Sequence, residues 1–184
     1  MIDRDRPCVS QGVAVTAYVA LLRAVNVSGA NRLSMPALVQ LCRDAGCEDV
    51  RTYIASGNAL FTSGLGERRI KALLEERLRA HLGKPIGVMV RTAAEMANVL
   101  AANPFAGEPP ERTVAIFLDR PASAEAIETV RGRKAEQLAL GAREIYVMYP
   151  DGIAHSKLVI PAAQSATARN MNTLARLAAM AAEI

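Results

Sequence analysis

The order in which apolar segments switch between strand and helix periodicity constrains this chain most. The run "VAVTAYVALLRAV" is β-branched and apolar on both faces, which is typical of a central strand. A stripe at helical spacing follows, with Ser34 as N-cap, Pro36 in the first turn and Gly46 at the end. "DVRTYI" and "NALFTS" then predict two strands joined by a short hairpin at 55–58.

The next two segments complete a recurring unit. "ERRIKALLEERLRAHLG" places leucine and isoleucine on one side and ends at Gly83, so it predicts a helix. "IGVMVR" predicts a returning strand. The order from Val15 to Arg91 is therefore β-α-β-β-α-β, which predicts a ferredoxin-like arrangement over an antiparallel sheet.

The remainder partly repeats this order. Thr92 and Glu95 form a capping box for a short helix. "TVAIFLD" predicts a strand, "SAEAIETVRG" a helix, and "QLALGAREIYVMYP" two strands around a turn, before a C-terminal helix with an apolar stripe from Met171 to Ala181. We therefore expect an α+β fold of two ferredoxin-like halves with antiparallel sheets.

Composition changes suggest where the halves meet. Residues 1–14 read as an irregular leader, and 15–102 as the N-terminal half. The proline-rich, polar stretch "NPFAGEPPER" at 103–112 is the expected hinge, and 113–184 form the C-terminal half. We expect the two halves to pack as one unit.

Composition also excludes several classes of protein. With 51% hydrophobic and 22% charged residues, the chain reads as folded rather than disordered. Neither a signal peptide nor a run of about 20 apolar residues is seen, so we expect a cytoplasmic protein without a membrane span. Three cysteines and two histidines lack the spacing of a disulfide framework or a zinc site, so we expect no metal and no cofactor.

The charge balance bears on partners. A net charge of +4 permits nucleic acid or another anion as a partner without indicating either. RNA binding on a sheet face is disfavoured, because aromatic residues make up 4% of the chain and tryptophan is absent. The sequence does not specify an oligomeric state.

The loop after the first strand is the first candidate site. A glycine-containing turn before a helix can form a concave anion site from its backbone N–H groups. Arg23 would add a guanidinium fork for phosphate or carboxylate, and Asn26 and Asn31 lie in the same loop. Taken alone, the stretch is more typical of an ordinary turn.

Two further stretches carry polar residues at turns. In the hairpin "RTYIASGN", Arg51, Tyr53, Ser56 and Asn58 could line a pocket, although a half-buried tyrosine and a plain turn are the more usual arrangement. In "YPDGIAHSKL", adjacent histidine and serine do not make a catalytic pair, because neighbouring residues on a strand point to opposite sides.

The last stretch, "ATARNMNTLARL", places Arg169 and Asn170 at the predicted start of the C-terminal helix. Asn170 as a plain N-cap is the simpler interpretation. The sharper one is that Arg169 and the helix N-terminus help to bind an anion.

Several of these stretches together resemble the domain of unknown function 1697 family, whose members are largely bacterial. The resemblance extends from about Thr16 to the C-terminus and is carried by "YVALLRAVNVSGANRLSM", "DVRTYIASGNALF", "VRTAAEM", "NPF", "EIYVMYPDGIAHSKL" and "TARNMNTL". It implies two ferredoxin-like halves and brings no established activity, cofactor or catalytic residue. The segment "VIPAAQSA" is shorter than the helix usual in that family, and Met171 stands where tryptophan is common.

The polar residues gathered at turns suggest a binding protein for a small anionic ligand, such as a nucleotide or phosphorylated metabolite. The expected ligand-binding residues are Arg23, Asn26, Asn31, Arg51, Tyr53, Ser56, Asn58, Lys157, Arg169 and Asn170.

Two alternatives remain open. One is an enzyme, a transferase or hydrolase acting on a phosphate- or carboxylate-bearing substrate, with Tyr149 and His155 as the candidate acid or base. The other is a structural or interaction module in which the polar residues only secure turns.

Overall fold

The chain folds into two four-stranded antiparallel sheets with helices between and outside them. The computed structural model describes residues 14–27 and 32–184. The first elements are β1 (Thr16–Leu22), α1 (Met35–Asp44), β2 (Glu48–Thr52), β3 (Asn58–Ser63), α2 (Glu67–Leu82), β4 (Val88–Thr92) and α3 (Ala93–Ala101). The later elements are β5 (Thr113–Phe117), α4 (Glu125–Glu128), β6 (Gln137–Leu140), β7 (Glu144–Met148), β8 (Thr167–Asn170) and α5 (Met171–Ala181).

The two sheets have the same strand order. The first runs β2-β3-β1-β4 and the second β6-β7-β5-β8, and every neighbouring pair is antiparallel. This is the ferredoxin-like order, so the predicted α+β fold of two such halves is confirmed.

The helix starts follow from local hydrogen bonding. The Ser34 hydroxyl accepts a hydrogen bond from the amide of Ala37 at 3.2 Å, as expected of an N-cap. Thr92 and Glu95 form the predicted capping box at the start of α3. Gly83 ends α2 with a φ of +71°, a conformation that glycine adopts without steric cost.

Three apolar cores stack across the molecule. The outer face of the first sheet packs against α1 and α2, and the outer face of the second sheet packs against α4. The inner core joins the two halves and includes residues from both sheets and from α3 and α5, among them Val19, Leu21, Leu60, Met96, Phe117, Tyr146 and Leu174. Neither half therefore buries its inner sheet face alone.

The helix predicted from "SAEAIETVRG" is wrong beyond its first turn. Only Glu125–Glu128 is helical. The chain then turns away because the backbone of Arg131 exchanges two hydrogen bonds with Val159, at 2.8 and 2.9 Å. This bridge draws residues after 130 out of helical conformation.

The end of the chain also differs from prediction. The short strand β8, Thr167–Asn170, was not predicted. Arg169 lies on this strand, one residue before the N-cap of α5. The segment between β7 and β8 holds the 3₁₀ turns Ile153–His155 and Pro161–Ala163 where a second α-helix would complete the ferredoxin-like unit. Pro161 within this segment disfavours a continuous longer helix.

Candidate functional site

Asn58 anchors the hairpin between β2 and β3. The Asn58 side chain is buried, and its Nδ2 donates to the carbonyl of Tyr53 at 2.9 Å and to the hydroxyl of Ser56 at 3.0 Å. Asn26, from the loop after β1, donates to the carbonyl of Ala55 at 2.8 Å. The hairpin and the loop are therefore tied together by asparagine side chains.

Asn26 also closes its own loop. Its Nδ2 donates to the carbonyl of Leu33 at 2.8 Å, and its Oδ1 accepts from the amide of Leu33 at 2.8 Å. The predicted site residue Asn31 falls inside this loop and lies outside the described residues.

Backbone strain is concentrated where the loop meets the hairpin. Ala24, Asn26 and Ile54 have φ values of +51°, +55° and +49°, a region that residues other than glycine rarely adopt. Gly57 has a φ of +77°, and a Cβ there would lie 2.3 Å from Cγ2 of Val25. Strained positions of this kind often accompany binding sites.

Arg169 reaches across from the second half into this junction. Its Nε donates to Oδ1 of Asn58 at 2.6 Å, and its Nη1 donates to the hydroxyl of Thr167 at 2.8 Å. Its Nη2 donates to the carbonyls of Leu22 at 2.9 Å and Ser56 at 3.0 Å, and two further backbone carbonyls accept from the guanidinium.

In the part of the chain that the structure describes, no acid pairs with Arg169. Within residues 14–27 and 32–184, no carboxylate hydrogen-bonds or ion-pairs with it. Burial lowers the pKa of Arg169 to about 10. The guanidinium is therefore a partly buried cation whose partners are all neutral.

Arg91 occupies the matching position in the first half. In the first sheet Arg91 on β4 lies opposite Val19 on β1, and in the second Arg169 on β8 lies opposite Ala115 on β5. Each arginine also directly precedes the N-cap of the following helix, α3 or α5. The two halves therefore present equivalent arginines to one another.

The contacts of Arg91 resemble those of Arg169, but the partner of Nε differs in charge. Nη2 of Arg91 donates to the carbonyl of Leu118 at 2.6 Å, as Arg169 does to that of Leu22. Nε of Arg91, however, donates to a carboxylate, Oε1 of Glu144, at 3.3 Å. Glu144 is the first residue of β7, the position that Asn58 holds in β3.

Arg23 is the exposed cation next to the junction. It follows Leu22, whose carbonyl accepts from Arg169, and its own amide donates to the carbonyl of Gly87 at 2.9 Å. The side chain of Arg23 passes Gly87, and its guanidinium makes no hydrogen bond or ion pair with any described residue.

The remaining predicted residues lie apart from this network. Arg51 is exposed on edge strand β2, with its Nη1 3.9 Å from Oε2 of Glu183. Lys157 is exposed in the second half and no hydrogen bond among the described residues connects it to the junction. Asn170 caps α5, because its Oδ1 accepts from the amide of Thr173 at 2.9 Å.

Sequence reasoning missed Thr167, Arg91 and Glu144. Thr167 supports Arg169 and also donates to the carbonyl of Leu22 at 3.3 Å. A usable signal was present, since "VRT" and "ARN" both place an arginine directly before a helix N-cap. Aligning the two halves of the sequence by their element order would have identified Arg91 as the counterpart of Arg169.

The candidate acid and base of the enzyme alternative share a separate cavity. Tyr149 and His155 line a hollow of about 270 Å³ together with Glu136 and Ser156. Burial, with a smaller effect of the Glu136 charge, raises the pKa of Tyr149. In the part of the chain that the structure describes, no group of three or more His, Cys, Asp or Glu residues is placed to hold a metal ion.

The strand order and the shared inner core define a protein of two ferredoxin-like halves. The chain belongs to the family "Protein of unknown function (DUF1697)", whose pattern matches residues 15–146. That match ends before β8, which carries Arg169.

A solved structure has the same fold. The chain is similar to the conserved bacterial protein SP0830 from Streptococcus pneumoniae, with a TM-score of 0.76 and 24% identity over 91% of this chain and 99% of the other. No curated protein matches the chain. Among the described residues, none of the helices has both the length and the apolar character that crossing a membrane requires.

Proposed function

We propose that this chain is a cytoplasmic binding protein for a small anionic ligand, such as a nucleotide or a phosphorylated metabolite. The ligand binds at the junction of Arg169, Asn58 and the hairpin, within reach of Arg23. The observation that carries the proposal is the contrast between the two equivalent arginines. Arg91 faces Glu144, whereas Arg169 faces the neutral Asn58.

The difference between the partners of Arg91 and Arg169 has an electrostatic consequence. A cation removed from water loses hydration, and neutral hydrogen-bond partners replace that loss only in part. A bound anion would supply the negative charge that Glu144 supplies to Arg91. Since charges near a protein interior interact more strongly than in water, a single anion gains affinity here.

Arg169 and Arg23 contribute to ligand binding in different ways. The N–H groups of Arg169 already donate to protein oxygens, so this residue contributes charge rather than direct hydrogen bonds. Arg23 is exposed and free of partners among the described residues, so it contributes the guanidinium fork that grips the ligand. Ser56, exposed at the hairpin tip, adds a hydroxyl.

A purely structural role is the competing account, because Arg169 also ties the two halves together. The two accounts differ in the behaviour of Arg23, whose guanidinium makes no hydrogen bond or ion pair with any residue that the structure describes. Under the structural account, replacing Arg23 changes nothing measurable.

A thermal-shift panel tests the proposal. The probes are inorganic phosphate, AMP, ADP, ATP and phosphorylated sugars, applied to the wild type, Arg23→Ala and the matched control Arg51→Ala. A ligand at ~100 times its Kd should stabilise the wild type by roughly 2.7 kcal/mol, a rise in Tm of about 5 °C or more. We expect Arg23→Ala to lose this shift and Arg51→Ala to keep it.

Two results of the thermal-shift panel would contradict the proposed anion binding. No shift of the wild type with any probe, or an equal shift for both variants, would contradict the proposal. The melting temperatures without ligand serve as the control for folding.

A further inference from the structure

A second polar cavity lies at the end of β7, in the second half. It has a volume of about 270 Å³ and is lined by the residues just before β6, including Lys134, and by the turn after β7. The side chains that matter are Glu136, Tyr149, Asp151, His155 and Ser156. Its size suits a ligand of a few heavy atoms rather than a cofactor.

Glu136 is held in place by neutral donors. The residue is 7% exposed, and its Oε1 accepts from the hydroxyl of Ser156 while its Oε2 accepts from the backbone amide of Lys134 at 2.6 Å. These hydrogen bonds hold the pKa of Glu136 below its usual range. No cation among the described residues forms an ion pair with it.

Tyr149 presents a second group without a partner. It is 7% exposed, and its hydroxyl makes no hydrogen bond with any residue that the structure describes. By contrast, the hydroxyl of the buried Tyr146 donates to the carbonyl of Val99 at 2.8 Å. Buried hydroxyls normally find a partner, so an unpartnered one bordering a cavity indicates that a ligand supplies it.

Ser156 orients the carboxylate of Glu136. Its hydroxyl group donates to Glu136, and its oxygen accepts from the amide of Leu158 at 3.1 Å. The carboxylate is therefore held in one orientation at the cavity.

We propose that this cavity binds a small molecule carrying a protonated amine. The ammonium group lies against the Glu136 carboxylate and donates a further hydrogen bond to the Tyr149 oxygen. Asp151 adds a second negative charge at the edge of the cavity. Among the described residues Glu136 forms no ion pair, although the charge of Lys134, which also lines the cavity, contributes to its lowered pKa. This site is independent of the proposed anion site.

Calorimetric titration of the full chain tests the inference, with ethanolamine and 1,4-diaminobutane as probes and Na⁺, Mg²⁺ and Ca²⁺ as comparisons. We expect an amine to bind the wild type and its affinity to fall at least ten-fold in Glu136→Gln. Tyr149→Phe should also weaken binding while leaving stability unchanged or raised, because the lost hydroxyl has no hydrogen-bond partner in the described part of the chain. Tyr146→Phe is the matched control, and it should lose stability and retain binding.

The contrary outcomes are defined by the same variants. If neither amine binds the wild type, if only Mg²⁺ or Ca²⁺ binds, or if Glu136→Gln and Tyr149→Phe bind as tightly as Tyr146→Phe, the inference is wrong. Should Glu136→Gln fail to fold, the comparison of the two tyrosine variants decides alone.

Discussion

At the scale of single residues, two arginines in equivalent positions differ in the charge of the side chain that accepts from Nε. Arg91 is 1% exposed, lies 5.5 Å from the ring centre of Phe117 and pairs with Glu144. Arg169 makes the same carbonyl contact in the other half but lacks the carboxylate. Glu144 therefore completes an ion pair with Arg91, whereas Asn58 leaves Arg169 with a neutral partner at the candidate ligand site.

The Glu144→Gln variant tests whether the ion pair between Arg91 and Glu144 stabilises the fold. Removing one partner of a buried ion pair leaves an unmatched charge, which typically costs about 3 kcal/mol or more. We expect the free energy of unfolding, measured with urea, to fall by about that amount. The double variant Arg91→Met, Glu144→Leu should recover most of the loss, because replacing both charges by apolar groups removes the mismatch.

A loss below about 1 kcal/mol in Glu144→Gln would show that the carbonyl partners suffice to stabilise Arg91. The neutral surroundings of Arg169 would then need no counter-ion, and the electrostatic basis of the proposed function would fail with it.

At the scale of secondary structure, the elements with strong local signals are those the sequence predicted. The capping box at Thr92, the N-cap at Ser34 and the glycine at the end of α2 all have their expected roles. Strand β8 had no such signal, because four residues without an apolar alternation are held in place by pairing with β5. Short elements fixed by tertiary contacts are beyond local pattern reading.

Two helix caps in equivalent positions allow a matched prediction. Thr92 accepts from the amide of Glu95 at 3.1 Å, and Asn170 accepts from the amide of Thr173 at 2.9 Å. We expect Thr92→Ala and Asn170→Ala each to lower the free energy of unfolding by about 1 kcal/mol. Asn170→Asp keeps the acceptor and should retain stability. If Asn170→Ala is as stable as Asn170→Asp, the N-cap assignment is wrong.

At the scale of the whole molecule, the halves are joined by polar contacts as well as by the inner core. The guanidinium of Arg143 donates to both carboxylate oxygens of Glu67, at 2.8 and 3.1 Å, and to Glu95 at 2.6 Å. Arg91 and Arg169 each cross from one half to the other. The halves should therefore be one thermodynamic unit.

Native-state hydrogen exchange tests whether the two halves unfold as one cooperative unit. We expect the amides of Val19–Leu21 in β1 and of Ala115–Phe117 in β5 to exchange with the same free energy and the same denaturant dependence, because either inner sheet face is stable only when covered by the other half. Two distinct free energies, differing by more than about 2 kcal/mol, would show instead that the halves unfold separately.

The candidate site also shows what sequence reasoning could and could not find. Asn26, Ser56, Asn58 and Arg169 were all chosen because they are polar residues at turns, and they do share one network. Their meeting depends on the two sheets packing face to face, which no local pattern specifies. Arg51 is also a polar residue near a predicted turn, but it lies on edge strand β2 and outside this network.

The most direct test of the central claim is a calorimetric titration of the wild type and Asn58→Asp with inorganic phosphate and with the best ligand from the thermal panel. The new carboxylate would neutralise Arg169 as Glu144 neutralises Arg91. We predict that the wild type binds and that Asn58→Asp binds at least ten-fold more weakly. Because the variant also loses the Nδ2 donor to the carbonyl of Tyr53, its melting temperature without ligand is measured as the control for folding. A wild type that binds no anion, or an Asn58→Asp variant that binds with unchanged affinity, would contradict the account.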